Sequence, residues 1–141
     1  YRWRVAEGSK YATGTRGLAY WQMRMLDLPG CLARTHLPAG EVRFSLRLTD
    51  PIERHLPEEA PWRGIAGDYV VTLGEASSAE PGRRDGLPEM VASVNAFTRL
   101  WLGVLPAAGL RITDKLQAEP ELIARIDDVL RLPKPHPDWE F

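Results

Sequence analysis

The side chains that could bind a metal or attack a substrate are few and widely separated. The only cysteine is Cys31, and the three histidines are His36, His55 and His136. Cys31 and His36 are five residues apart, a spacing that does not place two side chains on one face of a helix. The ligand spacings of structural zinc sites are also missing. We therefore expect no metal site, and we expect His36 near the end of a short helix, where a positive charge is favourable.

A second candidate for chemistry is the carboxylate pair Asp127 and Asp128. Neighbouring side chains on a helix point about 100° apart, so these two cannot flank one substrate as an acid and a base. We expect both to lie on a solvated surface. The nucleophile elbow of serine hydrolases, the glycine-rich phosphate loop and the H-E-x-x-H zinc motif are absent from the sequence. Local motifs therefore identify no complete active site.

Composition and charge restrict the class of protein. The chain has 141 residues, enough for one domain with its own core, and its formal net charge is -1. So small a charge produces no field that would attract nucleic acid or an anionic membrane surface. No apolar stretch reaches the roughly 18 residues that span a bilayer, and one cysteine cannot form an internal disulfide. We expect a soluble cytoplasmic domain that binds no nucleic acid and does not span a membrane.

The start of the chain has a pattern of its own. Residues 1–5 alternate apolar and basic side chains, which predicts a strand, and residues 6–17 are rich in Gly, Ser and Thr. A strand at residue 1 favours a chain cut from a larger protein, and the alternative is a trimmed small protein. We expect residues 1–17 to be a connector or the end of a preceding domain.

The clearest strand pattern is the strict alternation of apolar and polar side chains over Glu41 to Thr49. Such alternation is typical of a strand with one buried and one solvated face. Weaker patterns predict strands over residues 20–25, 68–74 and 90–94. Residues 76–88 are polar and contain two Gly and two Pro, so we expect a mobile loop there.

Capping residues and prolines mark the helices. Asp27 is a suitable N-cap for a short helix, and Asn95 is a suitable N-cap for a helix over residues 96–102 that ends at Gly103. The longest helix follows Pro120 and carries its apolar side chains on one face. Early strands and late helices predict an α+β domain, with a mostly antiparallel sheet and helices packed on one face.

Prolines dominate the end of the chain. Pro133, Pro135 and Pro137 prevent further helix, so residues 132–141 are predicted to form an extended tail that ends at Phe141.

Aromatic side chains on the predicted apolar faces have two interpretations. They form the core, or they line a hollow between sheet and helices that accepts an apolar ligand. The sequence does not distinguish a filled interior from a hollow one. These residues are Trp21, Phe44, Tyr69, Phe97 and Trp101.

An ordered set of segments resembles a known family, although no single motif in the set is specific. The segments are Trp21-Gln22-Met23-Arg24-Met25-Leu26-Asp27-Leu28-Pro29, the strand ending Asp50-Pro51, Tyr69-Val70-Val71, Asn95-Ala96-Phe97-Thr98-Arg99-Leu100-Trp101-Leu102-Gly103, Ala107-Ala108-Gly109-Leu110 and the helix after Pro120. Together they resemble the sterol-carrier-protein-like C-terminal domain of the enhanced-intracellular-survival (Eis) family of N-acetyltransferases. The resemblance covers residues 18–141. The loop over residues 76–88 departs from the family pattern, and residues 1–17 lie outside it.

The resemblance implies a longer parent with acetyltransferase domains, which bind acetyl-coenzyme A through a loop of the type Arg/Gln-x-x-Gly-x-Gly/Ala. No such loop occurs in this chain, since Arg84-Asp85-Gly86 lacks the spacing. The chain alone is therefore expected to bind no coenzyme and to transfer no acetyl group. In the family the final carboxylate of the chain reaches the acetylation site, and this role can be carried over only to Phe141.

Two functions remain open. In the first, the chain is an accessory domain that shapes the acceptor pocket for a small amine, and its partners are the acetyltransferase domains of its own parent. Alternatively, it is an independent lipid or sterol carrier. A proline-rich tail with a terminal aromatic favours the accessory domain, because a free carrier has little need of it. Homo-oligomerisation is compatible with both.

Overall fold

The structure is a computed structural model that describes residues 2–3, 15–16, 23–133 and 135. The described segments contain seven strands, four α-helices and one 3-10 helix. In chain order they are β1 (Arg2–Trp3), β2 (Thr15–Arg16), α1 (Leu28–Leu32), β3 (Val42–Thr49), a 3-10 helix (Pro51–His55), β4 (Gly67–Leu73), β5 (Ser78–Pro81), β6 (Glu89–Ser93), α2 (Val94–Trp101), α3 (Ala107–Thr113), β7 (Leu116–Ala118) and α4 (Pro120–Val129).

Strand β3 lies at the centre of the main sheet and confirms the strongest sequence pattern. Its alternate apolar side chains are buried, and Phe44 is completely so. Ser45 belongs to the opposite face but is only 5% exposed. Its hydroxyl donates to the Arg84 carbonyl at 3.3 Å, because the connection from β5 to β6 passes over this part of the sheet. The solvated face is therefore partly covered, which the alternation alone could not indicate.

The main sheet is mixed, with the strand order β5-β4-β3-β6-β7. Antiparallel pairs join β3 to β4, β4 to β5 and β6 to β7, whereas β3 and β6 run parallel, with Leu46 opposite Met90. The α+β class is confirmed. The parallel pair was not predicted, because strand periodicity shows which face is buried and not which strand lies alongside.

A single apolar core lies between the sheet and the helices. The buried side of β3 contributes Val42, Phe44, Leu46 and Leu48, and these pack in one cluster with buried residues of all four α-helices. The helix residues of the cluster are Leu28, Leu32, Val94, Ala96, Phe97, Leu100, Ala107, Leu110, Leu122, Ile123, Ile126 and Val129. None of the helices in the described part of the chain is long and apolar enough to cross a membrane.

Of the two predicted helix N-caps, one is confirmed and one is wrong. Asp27 caps α1, because its Oδ1 accepts from the Gly30 amide at 3.0 Å. The prediction of Asn95 as the cap of α2 is wrong. Ser93 takes this position and its hydroxyl oxygen accepts from the Ala96 amide at 3.1 Å, so the helix begins at Val94. Two suitable cap residues lie two positions apart here, and the end of β6 decides between them.

Two predictions, one of a loop and one of a strand, need correction. The supposed mobile loop at 76–88 contains β5, which pairs with β4 along four residues. Residues 23–25 of the predicted strand 20–25 belong to no sheet, and Met23 is exposed while Met25 is buried. The rest of that segment lies outside the described residues. Thr15–Arg16 pairs with Arg2–Trp3, within the part of the chain that we expect to be a connector or the end of a preceding domain. Edge and short strands carry little periodicity, so their pairing depends on the neighbouring strand.

Candidate functional site

A groove of about 1070 Å³ opens where β3 and β6 end. The 3-10 helix after β3 forms one wall, and the segment from the end of α3 through β7 forms another. Its polar lining residues include Thr49, Asp50, Glu53, Arg54, Ser93, Asn95, Thr113, Asp114, Lys115 and Gln117. Hydroxyl, amide and charged groups border this space together with the apolar residues Pro51, Val91 and Ala92, so the groove can form hydrogen bonds and apolar contacts with a ligand.

Asp50 is the most constrained side chain of the groove. The Asp50 side chain has no exposed surface, and both of its carboxylate oxygens accept hydrogen bonds. Oδ1 accepts from the Ile52 amide at 3.0 Å and from the Arg24 guanidinium, and Oδ2 accepts from the Ile65 amide at 3.0 Å. Asp50 therefore caps the 3-10 helix and also anchors a loop that is 15 residues away.

The environment of Asp50 keeps it ionised. Burial by itself raises the pKa of this carboxyl, but the hydrogen bond from Arg24 and the bonds from the Ile65 and Ile52 amides outweigh it. The pKa of Asp50 therefore lies below its ordinary value. A carboxylate so held makes a poor general base, and its role in the groove is to position the backbone.

Arg24 reaches Asp50 from the segment before α1 and also lies near Trp62, with 6.0 Å between the guanidinium carbon and the ring centroid. This distance is within the range of a cation–π contact. Arg24 thus links three segments that are distant in sequence. Met23, Leu26 and Trp62 expose apolar surface in these same segments.

The other acidic groups of the groove are paired with arginines that do not line it. Arg99 donates to Asp114 at 2.5 Å, and Arg63 donates to Glu53 at 3.1 Å. The groove residues Arg54 and Lys115 have no carboxylate within 4.0 Å among the residues that the structure describes. Because its carboxylates are already neutralised, the groove presents hydrogen-bonding groups more than free negative charge.

The aromatic residues fall in the interior and favour the core interpretation. Phe44 and Phe97 are 0% and 2% exposed and belong to the single core cluster. Tyr69 donates its hydroxyl to the Ile65 carbonyl at 3.0 Å, and Trp101 donates its ring N–H to the Thr35 hydroxyl at 2.8 Å. Burial, and then the charges of Asp27 and Asp50, raise the pKa of Tyr69. Trp21 lies outside the described residues.

The metal-ligand candidates are scattered in the described part of the chain. No group of three His, Cys, Asp or Glu side chains is close enough there to hold an ion. His36 lies after α1, and its Nδ1 is 2.8 Å from the Glu75 carbonyl oxygen. Burial, with a further contribution from Asp27, raises the pKa of the Cys31 thiol. His136 and the predicted catalytic residue Phe141 lie outside the described residues.

Of the two adjacent carboxylates on α4, Asp128 is solvated as predicted and Asp127 is not. Asp128 is exposed and pairs with Arg131 at 2.5 Å. Asp127 is not simply solvated: its Oδ1 accepts from the Ala107 amide at 2.5 Å and its Oδ2 from the Ala108 amide at 3.1 Å. It therefore caps α3, which has no cap from its own segment. The sequence carried no signal for this contact, because the cap comes from 20 residues further along the chain.

The sequence analysis also did not predict that the groove residues lie together. Asp50 was interpreted only as the end of a strand, and nothing in the spacing relates it to Arg24, 26 residues earlier. Asn95 was considered only as a cap. Their common location arises from the parallel pairing of β3 and β6, which places both strand ends at one edge of the sheet.

Comparison with known proteins reveals a fold relationship. No protein-family model matches the chain, and no curated protein does. Among solved structures, the chain is similar to GCN5-related N-acetyltransferases from Kribbella flavida, with a TM-score of 0.61 and 19% identity, and from Anabaena variabilis ATCC 29413, with a TM-score of 0.62 and 16% identity. Each similarity covers 79% of this chain and 26% of the other chain.

A third similar structure is a conserved protein of unknown function from Enterococcus faecalis V583, described as a probable N-acyltransferase. Its TM-score is 0.54 at 22% identity, and the similarity covers 79% of this chain and 25% of that one. This chain therefore spans about a quarter of the length of the solved proteins that it matches, and it shares the fold of that part.

Proposed function

We propose that this chain is the C-terminal accessory domain of an Eis-type N-acetyltransferase. Residues 18–141 are the sterol-carrier-protein-like domain, and residues 1–17 are a connector or the end of the preceding domain. The domain walls the pocket for the acceptor amine, and its tail delivers the carboxylate of Phe141 to the active site of the parent. The parent works in the cytoplasm.

The observation that carries the proposal is the match to a quarter of two N-acetyltransferase chains. Each match leaves about three quarters of the solved chain outside this domain. We place the domains that bind acetyl-coenzyme A and carry out the transfer in that remainder. We propose that this chain itself does not bind that coenzyme. Arg84-Asp85-Gly86 leads into strand β6 rather than into a helix N-terminus, where a phosphate group would be bound.

The packed interior of the described residues favours the accessory-domain proposal over a lipid carrier. The apolar interior is filled by side chains that are almost completely buried, and packed interiors leave few voids. The open groove is lined by both polar and apolar groups, and Asn95 and Gln117 among them can hydrogen-bond to a ligand. A sterol or fatty acid would need an apolar cavity of comparable volume.

The role of the terminal carboxylate follows from acid–base chemistry. An amine is protonated at neutral pH and must lose a proton before it can attack a thioester. An α-carboxylate has an ordinary pKa of about 3.3–3.7, so it is a weak base in water. Burial against the other domains raises this pKa, and the cationic amine nearby partly opposes the rise. The carboxylate of Phe141 then accepts the proton of the acceptor ammonium.

Steady-state kinetics of the full-length parent tests this role. One variant carries a few extra residues after Phe141 and another lacks Phe141, so in both the carboxylate is misplaced. We expect kcat/KM to fall roughly 10²-fold or more in both variants. Thermal melting and coenzyme affinity serve as controls and stay unchanged. Normal turnover by the extended enzyme would refute the carboxylate role.

The lipid-carrier alternative has its own test. The purified chain is extracted for mass spectrometry and titrated with a fluorescent fatty acid and a fluorescent sterol. We expect no co-purified lipid and no saturable binding. Stoichiometric binding with micromolar affinity would replace the accessory-domain proposal with a carrier function.

A further inference from the structure

We propose that the groove at the ends of β3 and β6 binds a small organic anion that carries two negative charges, of the chemical class of a phosphate monoester. The cationic side chains Arg54 and Lys115 bind the charged group, and the apolar residues of the lining contact the organic part. The inference goes beyond the accessory role proposed above and does not depend on it.

The charges around the groove do not cancel. Among the described residues three carboxylates line it, and each is paired with an arginine that does not. The pairs are Asp50 with Arg24, Glu53 with Arg63 and Asp114 with Arg99. The lining cations Arg54 and Lys115 have no carboxylate within 4.0 Å in the described part of the chain. The groove and the arginines behind it therefore have an excess of two positive charges.

The sheet fixes the backbone that carries the two cations. Thr49 lies opposite Ser93 in the parallel pair of β3 and β6, and the Ser93 amide donates to the Lys115 carbonyl at 2.9 Å. Thr49 and Lys115 are therefore about two strand spacings apart, roughly 10 Å. The 3-10 helix that follows β3 is capped by Asp50 and carries Arg54. Because arginine and lysine have long side chains, both cations can contact one small ligand in the groove.

Neutral donors are available beside the two cations. Asn95 and Gln117 line the groove, and their side-chain amides form no hydrogen bond with another residue that the structure describes. The Ser93 hydroxyl oxygen accepts from the Ala96 amide at 3.1 Å, which leaves the hydroxyl proton for a ligand. A phosphate group offers three strong acceptor oxygens and carries up to two negative charges near neutral pH. Its charge and its acceptors therefore match the excess charge and the donors of the groove.

The apolar part of the lining favours an organic phosphate over the free ion. Pro51, Val91 and Ala92 border the same space as the cations. Inorganic phosphate would leave these surfaces in contact with water, whereas an organic group attached to the phosphate would cover them. The volume of about 1070 Å³ is large enough for such a group.

The sign of the charge argues against a cationic ligand in this groove. A protonated amine would be repelled by Arg54 and Lys115, and the carboxylates that could attract it are already paired with arginines. We therefore place the amine pocket of the accessory role outside this groove. The anion site and the accessory role can then be right or wrong independently of each other.

NMR titration of the 141-residue chain tests the site, with phenyl phosphate as the probe at about pH 7.5, where its phosphate group is close to doubly charged. Benzylamine is a cation of similar size, and inorganic phosphate lacks the apolar group. We expect the amide signals of Ser93, Asn95 and Gln117 to shift and saturate with a Kd of about 1 mM for phenyl phosphate. Inorganic phosphate should bind about fivefold more weakly, because it makes no apolar contact. Benzylamine should produce no saturable shift.

Two variants test the cations directly. Arg54→Gln and Lys115→Gln each remove one charge from the groove, and each should weaken the binding of phenyl phosphate about fivefold, because a charged hydrogen bond is lost. Arg84→Gln is the matched control. Arg84 also has no carboxylate within 4.0 Å among the described residues, but it lies outside the groove, so its loss should change the affinity by less than about twofold. All three positions are exposed, and the spectrum of each unliganded variant verifies its fold.

Several results would overturn the proposal. If phenyl phosphate causes no saturable shift, or benzylamine binds in its place, the groove is not an anion site. If inorganic phosphate binds as tightly as phenyl phosphate, the site accepts the free ion and the organic ligand is refuted. Equal losses in Arg54→Gln, Lys115→Gln and Arg84→Gln would show attraction by net charge alone. None of these measurements involves acetyl transfer, so the kinetic test of the Phe141 carboxylate in the parent is decided separately.

Discussion

The Arg24 guanidinium donates a hydrogen bond to the buried carboxylate of Asp50, and this contact joins segments that are 26 residues apart. Asp50 also holds the Ile52 and Ile65 amides, so one carboxylate fixes the end of β3, the 3-10 helix and the loop before β4. The end of β3 and the 3-10 helix form one wall of the groove. The pair therefore determines the shape of the groove, although Arg24 does not line it.

Loss of Arg24 should strongly destabilise the fold. Arg24→Met keeps much of the side-chain volume but leaves the Asp50 carboxylate buried without its cation, so we expect a loss of about 3 kcal/mol in the free energy of unfolding. Arg131→Met is the control, because Arg131 pairs with Asp128 at an exposed site. An exposed pair contributes less than about 1 kcal/mol. Urea denaturation of both variants measures the difference, and equal midpoints would contradict the role of Asp50 as a buried anchor.

Asp50 should also make stability depend on pH. Its pKa in the folded chain lies below its ordinary value, which is also the value expected in the unfolded chain. The stabilisation is therefore complete above the unfolded pKa of about 3.9 and is lost as the pH falls through the folded pKa. We expect the unsubstituted chain to exceed Asp50→Asn in stability by a constant amount above about pH 5, and by less below about pH 4. Denaturation of both proteins across this pH range measures the difference in their stability, and the other carboxylates titrate equally in both. A stability difference that grows as the pH falls would contradict the lowered pKa of Asp50.

Asp127 should contribute more to the stability of the fold than the adjacent Asp128. Removing the cap of α3 by Asp127→Ala is expected to cost about 1–2 kcal/mol. Asp128→Ala, one position along the same helix, removes only an exposed pair with Arg131 and should cost no more than about 0.5 kcal/mol. Thermal or urea unfolding distinguishes them. If the two variants have the same stability, Asp127 is not an effective cap in solution.

Phe44 should be among the most sensitive positions of the core. It is completely buried on β3, so Phe44→Ala loses burial and leaves a cavity, at a cost of about 3–5 kcal/mol. Ile112→Ala is the control, since Ile112 is 85% exposed and its truncation should change stability by less than about 0.5 kcal/mol. The measurement is the thermal midpoint, and an unchanged midpoint for Phe44→Ala would exclude a central place for β3.

Some of this protein was determined by sequence alone. The alternation over Glu41 to Thr49 was enough to place β3 and its buried face, and Asp27 was enough to begin α1. The apolar stripe after Pro120 likewise identified α4. In each case the cause lies within one turn of helix or one short strand. The periodicity of side chains there depends on local backbone geometry and on the face that is buried.

Only the tertiary structure decided which distant groups meet. The parallel pairing of β3 with β6, the cap that Asp127 provides for α3 and the buried pair of Arg24 and Asp50 each join residues about 20 or more positions apart. No local pattern encodes such contacts, because they depend on the path of the whole chain. The short strand β5 is formed by its pairing with β4 and not by its own polar sequence. The groove belongs to the same class, since it exists only where separate segments are packed together.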